Sequence, residues 1–191
     1  MATRPKSKSR KSKKSKPKKL SRVKKPSQMS LADWQVTLRR QFGAEQKYGL
    51  KNIGDDQFFS EFEVTNPESN GTNRVAVRGA GMGENFCSCP DFSVNLLGTC
   101  KHIEFTLARL SKRRGGKAAL ALGFHPTYSE VYLHYGAARD VVFRPGTECP
   151  PSLKKFAAEY FDDLGRIKPE AFGRFHEFLK KASAGSHEVR V

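Results

Sequence analysis

Phe86-Cys87-Ser88-Cys89-Pro90-Asp91-Phe92, followed ten residues after Cys89 (Pro90 to Thr99) by Cys100-Lys101-His102, is the stretch from which the fold is read. Three thiols and one imidazole stand there in two closely spaced pairs. A structural zinc ion takes four soft or borderline ligands in a closed tetrahedron, and a Cys₃His set fills that shell with no position left for catalysis. A one-residue gap in the first pair lets both sulfurs turn toward one point at a strand end, and Cys100 and His102 can converge on it from the first turn of a helix. Buried reduced cysteines beside an unrelated histidine, or a Cys-x-Cys redox pair resolved by Cys100, are the competing readings, and both leave His102 unexplained. Cys87, Cys89, Cys100 and His102 are therefore expected to hold zinc as a structural cofactor. In so small a unit the metal is also folding energy, on the order of 10 kcal/mol at neutral pH.

Upstream, Ser30 and Asp33 resemble a capping box, and Leu31, Trp34, Leu38 and Phe42 recur at helical spacing until Gly43, where the helix is expected to stop. Alternation over Phe58–Val64 and again over Arg74–Arg78, across the turn-rich stretch 66–73, predicts a hairpin. Phe86 to Cys89 continues as short extended chain, and Ile103, Leu107 and Leu110 mark a helix that runs from the second ligand pair to Gly115 and Gly116. Downstream, Val131–Tyr135 and Val141–Phe143 read as a second hairpin around Gly136. One helical stripe follows at Leu153, Phe156, Tyr160, Phe161 and Leu164, and another at Phe172, Phe175 and Leu179 after Pro169, with the aromatics as core. The fold class expected is α+β: a small β-β-α zinc-binding module, then a β-hairpin and C-terminal helices. The chain stops at Val189-Arg190-Val191 as a strand opens, which reads as truncation.

The charge is lopsided. Of 35 Lys and Arg in the 191-residue chain, 13 lie within Met1 to Pro26 together with no acidic residue, and the remaining 165 residues carry a net charge of only +3. Like charges this dense cannot collapse into a core, so the stretch is expected to be a disordered basic tail. It is either a solubilising extension or an arm that displaces counterions from a nucleic-acid backbone without reading sequence. The boundaries expected are 1–29 for the tail, 30–117 for the zinc module and 118–191 for the hairpin and helices. No stretch approaches the roughly 20 apolar residues of a spanning helix, and the basic start lacks the apolar region of a secretory signal. A soluble chain with no membrane partner is expected, cytoplasmic and nucleoid-associated in a bacterium, or nuclear in a eukaryote, where the basic run would read as an import signal.

Cys-x-Cys, a loop, then Cys-x-His, together with Phe86 and the run Cys89-Pro90-Asp91-Phe92, resembles the SWIM-type zinc finger over roughly 58–114. The resemblance implies the same four ligands, zinc, and DNA binding or protein–protein contact. The flanks, from Ala32 through Ser129-Glu130-Val131-Tyr132-Leu133 to His187-Glu188-Val189-Arg190, are similar to the region that precedes the motor of bacterial Swi/Snf-type helicases. The motor itself is not in this chain. A phosphate-binding loop is also missing, since the only Gly-Lys pair, Gly116-Lys117, is followed by Ala118 and preceded five positions earlier by Ser111. Gly79-Ala80-Gly81-Met82-Gly83-Glu84 has Glu84 where a dinucleotide fingerprint needs glycine.

There is no Gly-x-Ser-x-Gly elbow, and His125, His134, His176 and His187 have no suggestive neighbours, so the protein is expected not to be an enzyme and to have no small-molecule substrate. Cys149, beside two prolines, reads as an unpaired reduced thiol, and Asp91 as either an outer support for a ligand or a loop cap. Lys101, Arg109, Lys112, Arg113, Arg114 and Lys117 form the candidate nucleic-acid contacts. Compensation of a helix dipole is the competing reading for cations at that helix end. The function expected is nonspecific DNA binding through arm and cluster. The alternative is a protein–protein module that docks onto a Swi/Snf-type ATPase motor, or the N-terminal fragment of such a helicase.

Overall fold

The computed structural model describes residues 19–191. The expected disorder of the tail falls mostly on residues 1–18, which lie outside the described residues. Residues 19–29, grouped with the tail by composition, run along the first helix: Leu20 N–H donates to Gln41 Oε1 at 2.9 Å and Trp34 Nε1–H to the Ser21 carbonyl at 3.1 Å.

That helix, α1 (Leu31–Glu45), is capped as the sequence reads, Ser30 Oγ accepting from Asp33 N–H at 3.0 Å and donating to its carboxylate at 2.6 Å. It does not stop at Gly43. The glycine is where α1 crosses the helix α3 (Lys101–Leu110), and a Cβ there would come within 2.8 Å of the Lys101 carbonyl oxygen and of Phe105 N. Gly43 is a close-approach residue inside a helix and not its end.

Four antiparallel strands follow in spatial order: β1 (Gly49–Asn52), β2 (Glu61–Thr65), β3 (Thr72–Ala76) and β4 (Phe86–Cys87). The β2–β3 hairpin is the expected one. Strand β1 was not expected, having only Leu50 as an apolar residue among its four, and it pairs Gly49 to Asn52 against Thr65 to Phe62. In β2 the alternation buries Phe62 and Val64, and Phe62 stands opposite Val75, which in turn stands opposite Cys87. Phe62, Val75, Ile103 and Phe105 form the centre of the first core, with α3 laid over the sheet and α1 over α3. Burial of each such side chain is worth about 1.5–3 kcal/mol. Past α3 the chain turns through Gly115 at φ 79° into a short helix, α4 (Gly116–Leu122), that the sequence reading lacked. Leu120 of α4 packs on the first core, so the expected boundary at 117/118 falls inside this helix.

The second sheet joins β5 (Ser129–His134) to β6 (Asp140–Arg144) as the expected antiparallel hairpin, and β7 (Val189–Arg190) lies parallel to β5 on its other side. Helices α5 (Pro151–Ala157) and α6 (Phe175–Ser183), with a 3₁₀ helix (Pro169–Arg174), cover it. Phe178, fully buried, is surrounded by the rings of Phe143, Phe156, Tyr160 and Phe161 at centroid distances of 5.0–5.6 Å.

Two details depart from the helical stripes. Helix α5 ends at Ala157, because Asp162 Oδ1 accepts from both Leu164 N–H and Arg166 N–H and turns the chain back to bridge Val142 through Arg166. Leu164 thereby lies on the surface, 73% exposed. Phe172 is also exposed, at 62%: in the 3₁₀ stretch the inward position belongs to its fully buried neighbour Ala171.

The two sheets are joined by a stack of aromatic and guanidinium groups. Phe59 stacks on Phe124, Arg144 lies over Phe124 and over Tyr132 at 5.0 and 5.2 Å, and Arg78 lies over Tyr132 at 5.6 Å. Glu130 pairs with Arg144, so this largely covered cation has its countercharge.

Candidate metal centre

Cys87 ends β4, Cys89 is the N-cap of a one-turn helix α2 (Pro90–Val94), and Cys100 is the N-cap of α3, on whose first turn His102 sits. All four side chains are buried, and their candidate ligand atoms lie within 4.8 Å of one another. The four residues read from the sequence as one ligand set are thus brought together. Nδ1 is the imidazole nitrogen that faces the thiols, 3.8 Å from Cys87 Sγ. The Tyr48 ring lies 5.5 Å from the imidazole and 5.3 Å from Phe105, closing the site on that side.

Burial leaves the thiols competing for negative charge. Hydrogen bonds from Cys100 and Cys87 hold Cys89 far below the ordinary thiol range, with Phe92 N–H also donating to its sulfur at 3.4 Å. Cys87 is pushed far up by its contacts with Cys100 and Cys89 and by burial. Cys100 is drawn down by Cys87, but Cys89 and burial outweigh this and push it up to about 12. Three thiols crowded into one buried pocket do not ionise together readily unless a cation supplies the missing charge. A divalent metal ion does that directly, since a coordinating thiol is deprotonated outright. The donor set is soft, fourfold and closed, which fits a structural metal site.

Helix α1 holds the loop between the ligand pairs at both ends, through consecutive arginines. Arg39 forks onto Asp91, and Arg40 Nε lies 3.4 Å from Glu104, whose carboxylate also accepts from Thr99 Oγ1 at 2.9 Å. Asp91 is therefore tied to α1, and Asn95 Nδ2 binds the Thr99 carbonyl across the loop. Burial raises the Glu104 carboxyl above its usual range despite Thr99 and Arg40.

From the other side the β5–β6 hairpin braces the same loop. Gly83 N–H donates to the Gly98 carbonyl at 3.2 Å and Tyr135 N–H to the Gly83 carbonyl at 2.8 Å. The Tyr135 ring lies 4.6 Å from Phe92, and Arg139 donates to the Ser93 carbonyl at 2.8 Å. The supporting residues Arg39, Tyr48 and Tyr135, and Asn73, whose side-chain amide lies 3.5 Å from His102 Nε2, carry no motif that would have marked them in the sequence.

The six basic residues read as nucleic-acid contacts are spread along α3 and the segment beyond it. Lys101 opens α3 and Arg109 lies in its last turn, about 12 Å further along the axis at 1.5 Å per residue, with Lys112, Arg113, Arg114 and Lys117 in the turn and helix beyond. None of the six makes an ion pair among the described residues. The stretch from Phe105 to Ser129 contains no acidic residue at all.

The glycine loop 79–84 is filled from within, because the Glu84 carboxylate lies against Gly79 and Gly81 where a Cβ would overlap it. A bound phosphate would meet like charge there. His125, His134 and His187 are used locally, against the Leu122 carbonyl, the Met82 carbonyl and Ser129 Oγ. Cys149 is a buried free thiol. No helix among the described residues is long and apolar enough to cross a membrane. No family model, curated protein or solved structure matches the chain.

Proposed function

We propose that Cys87, Cys89, Cys100 and His102 hold one structural zinc ion in a module of SWIM type, and that the protein is a non-enzymatic binder of nucleic acid. The observation that carries the metal reading is the buried, closed Cys₃His donor set. Zinc is the ion for which such a set is most suited, having no redox chemistry to control and no geometry beyond the tetrahedron to satisfy. The nucleic-acid reading rests on the acid-free stretch from Phe105 to Ser129, its five cations without carboxylate partners among the described residues, and the basic arm. Such contacts position a backbone and carry no sequence information. In this reading the arm, the zinc module and the extension from 118 onward are the functional divisions, and the partner is DNA.

A second reading, docking to a protein such as a Swi/Snf-type motor, is favoured by one observation: Val94 and Leu96, 78% and 59% exposed, stand on the loop between the ligand pairs. The deciding experiment measures metal content and then duplex-DNA affinity of the full chain across a salt series. Stoichiometric zinc and a slope reporting several phosphate contacts support the first reading. Metal-loaded protein that ignores DNA transfers the search to protein partners, and protein purified under reducing conditions without stoichiometric metal overturns the zinc assignment.

A further inference from the structure

The basic arm does not begin where the folded body ends. Lys19 Nζ lies 2.7 Å from Glu45 Oε1 and Arg22 Nη2 lies 3.0 Å from Glu45 Oε2, so one carboxylate holds two arm cations, one on each oxygen. The backbone between them is fixed to α1 by Gln41 and by Trp34. One turn back along α1, the Phe42 ring carries two cations, the Arg22 guanidinium at 5.5 Å from its centroid and the Lys101 ammonium at 5.8 Å. Lys101 is the residue between the last two metal ligands. Three cations from the arm and the metal module thus meet at one corner of α1, against one acid.

We propose that this corner, Lys19, Arg22 and Lys101 around Phe42, is a binding surface for a nucleic-acid backbone, and that Glu45 occupies it in the free protein as an internal stand-in for a phosphate. The inference rests on the nucleic-acid reading above and adds the place and the competitor.

The chemistry of the exchange is direct. A phosphodiester offers two non-bridging oxygens that share one negative charge, which is the acceptor pattern a carboxylate offers, and Lys and Arg bind both. The side chains of Lys19 and Arg22 are more than half exposed and Lys101 is half-buried, so a backbone reaches the two arm cations without any unfolding and finds Lys101 beside them. The exposed Lys19–Glu45 and Arg22–Glu45 pairs are of the kind that contributes little to stability and yields to a competing polyanion. Glu45 is held below the usual carboxylate range by the hydrogen bond from Lys19 and by the charges of Lys19 and Arg22, so it stays anionic through the neutral range. Nine of the arm's cations precede Lys19 in the sequence and two, Lys24 and Lys25, follow Arg22, so a backbone that displaces Glu45 engages a corner continuous in sequence with the arm and in space with the metal module.

The test uses the full chain, zinc-loaded, and a short random-sequence duplex DNA, with Kd measured from low to moderate salt. Glu45→Gln keeps the side chain and removes the competitor. It is expected to tighten binding several-fold at low salt and to steepen the salt slope by up to about 2, close to 0.9 for each phosphate newly engaged. Glu159→Gln removes an exposed acid that makes no ion pair among the described residues, and it is expected to leave the slope unchanged. Lys101→Ala and Arg22→Ala should each flatten the slope by about 1. A Glu45→Gln protein that matches Glu159→Gln, or that binds more weakly than the parent, overturns the competitor while the nucleic-acid reading stands. A full chain that binds no DNA at any salt overturns both.

Discussion

The Arg39 guanidinium forks onto the Asp91 carboxylate, Nη2 to Oδ1 at 2.6 Å and Nε to Oδ2 at 3.1 Å, and so fixes α1 to the loop that separates the two ligand pairs. Asp91 stands two residues after Cys89 and Arg39 is on the other side of a helix crossing, so the pair closes a long loop. Both partners are partly covered, which keeps the charge-assisted bonds from being fully screened. Arg39→Ala is expected to cost about 1 kcal/mol of stability and to speed the transfer of metal to an added chelator. Arg39→Lys recovers only part, since an ammonium cannot fork. Denaturant unfolding and chelator-competition kinetics on the metal-loaded protein measure the two effects.

Metal removal is expected to act unevenly. The four ligands join β4, α2 and α3, and Cys87, Cys89 and Cys100 are themselves part of the first core, whereas the second core around Phe178 contains no ligand. Chelation, or Cys100→Ser, should therefore release the α1–α3 packing and change the emission of Trp34 on α1, the only tryptophan. Far-ultraviolet circular dichroism should retain signal from α5, α6 and the β5–β6 hairpin. Complete loss of structure on chelation would count against this division.

Phe178→Ala probes the other core. Its ring is the hub of five aromatic contacts and has no exposed surface. A cost of about 3–5 kcal/mol is expected for such a truncation. The hairpin it supports also carries Tyr135, so the destabilisation should reach the metal loop and lower metal affinity at a distance from any ligand. Calorimetry and a metal titration on one variant report both.

Gly98 makes the coupling between the sheets testable at one atom. It sits at φ 66°, and a Cβ there would overlap the Tyr135 carbonyl oxygen at the tip of the second hairpin. Gly98→Ala combines a left-handed backbone, costing about 1–2 kcal/mol for a residue with a Cβ, with displacement of that tip. Weakened metal binding with the second core intact is expected. An unchanged metal affinity would show that the hairpin tip merely rests on the loop.

Much of this was legible before any coordinates. The ligand set could be read because metal chemistry imposes spacing on residues close in sequence, and the β2–β3 and β5–β6 hairpins because alternation and turn residues are local signals. The capping box of Ser30 held for the same reason. What was not legible depends on contacts between distant segments. Gly43 reads as a helix stop until α3 is seen to cross there, and the stripe through Leu164 fails because Asp162 turns the chain onto β6. Arg39, Tyr135 and Glu45 act on residues tens of positions away or on a tail whose composition argues for no structure, so no local pattern announces them. The basic residues from 101 to 117 form one cluster in sequence, and the length of α3 separates Lys101 from the other five along the helix axis.

Asn73 supplies the last prediction, because its side-chain amide lies against the His102 ring nitrogen that faces away from Cys87. Nδ1 faces Cys87 Sγ at 3.8 Å, and the other ring nitrogen, Nε2, lies 3.5 Å from the Asn73 side-chain amide. An amide has an oxygen and a nitrogen that exchange places on a half-turn, and with its oxygen toward the ring it accepts the Nε2 proton. That leaves Nδ1 with its lone pair toward the thiols, the arrangement in which an outer hydrogen bond fixes the tautomer of a metal-binding histidine. Nitrogen-15 NMR of the zinc-loaded protein should show His102 protonated at Nε2 and coordinated through Nδ1. Asn73→Ala should weaken zinc binding by about 10–100-fold without changing the ligand set, and Asn73→Asp, which keeps an acceptor, should restore most of it. Coordination through Nε2 would reverse the roles of the two nitrogens, and Asn73 would then have no part in orienting the ring.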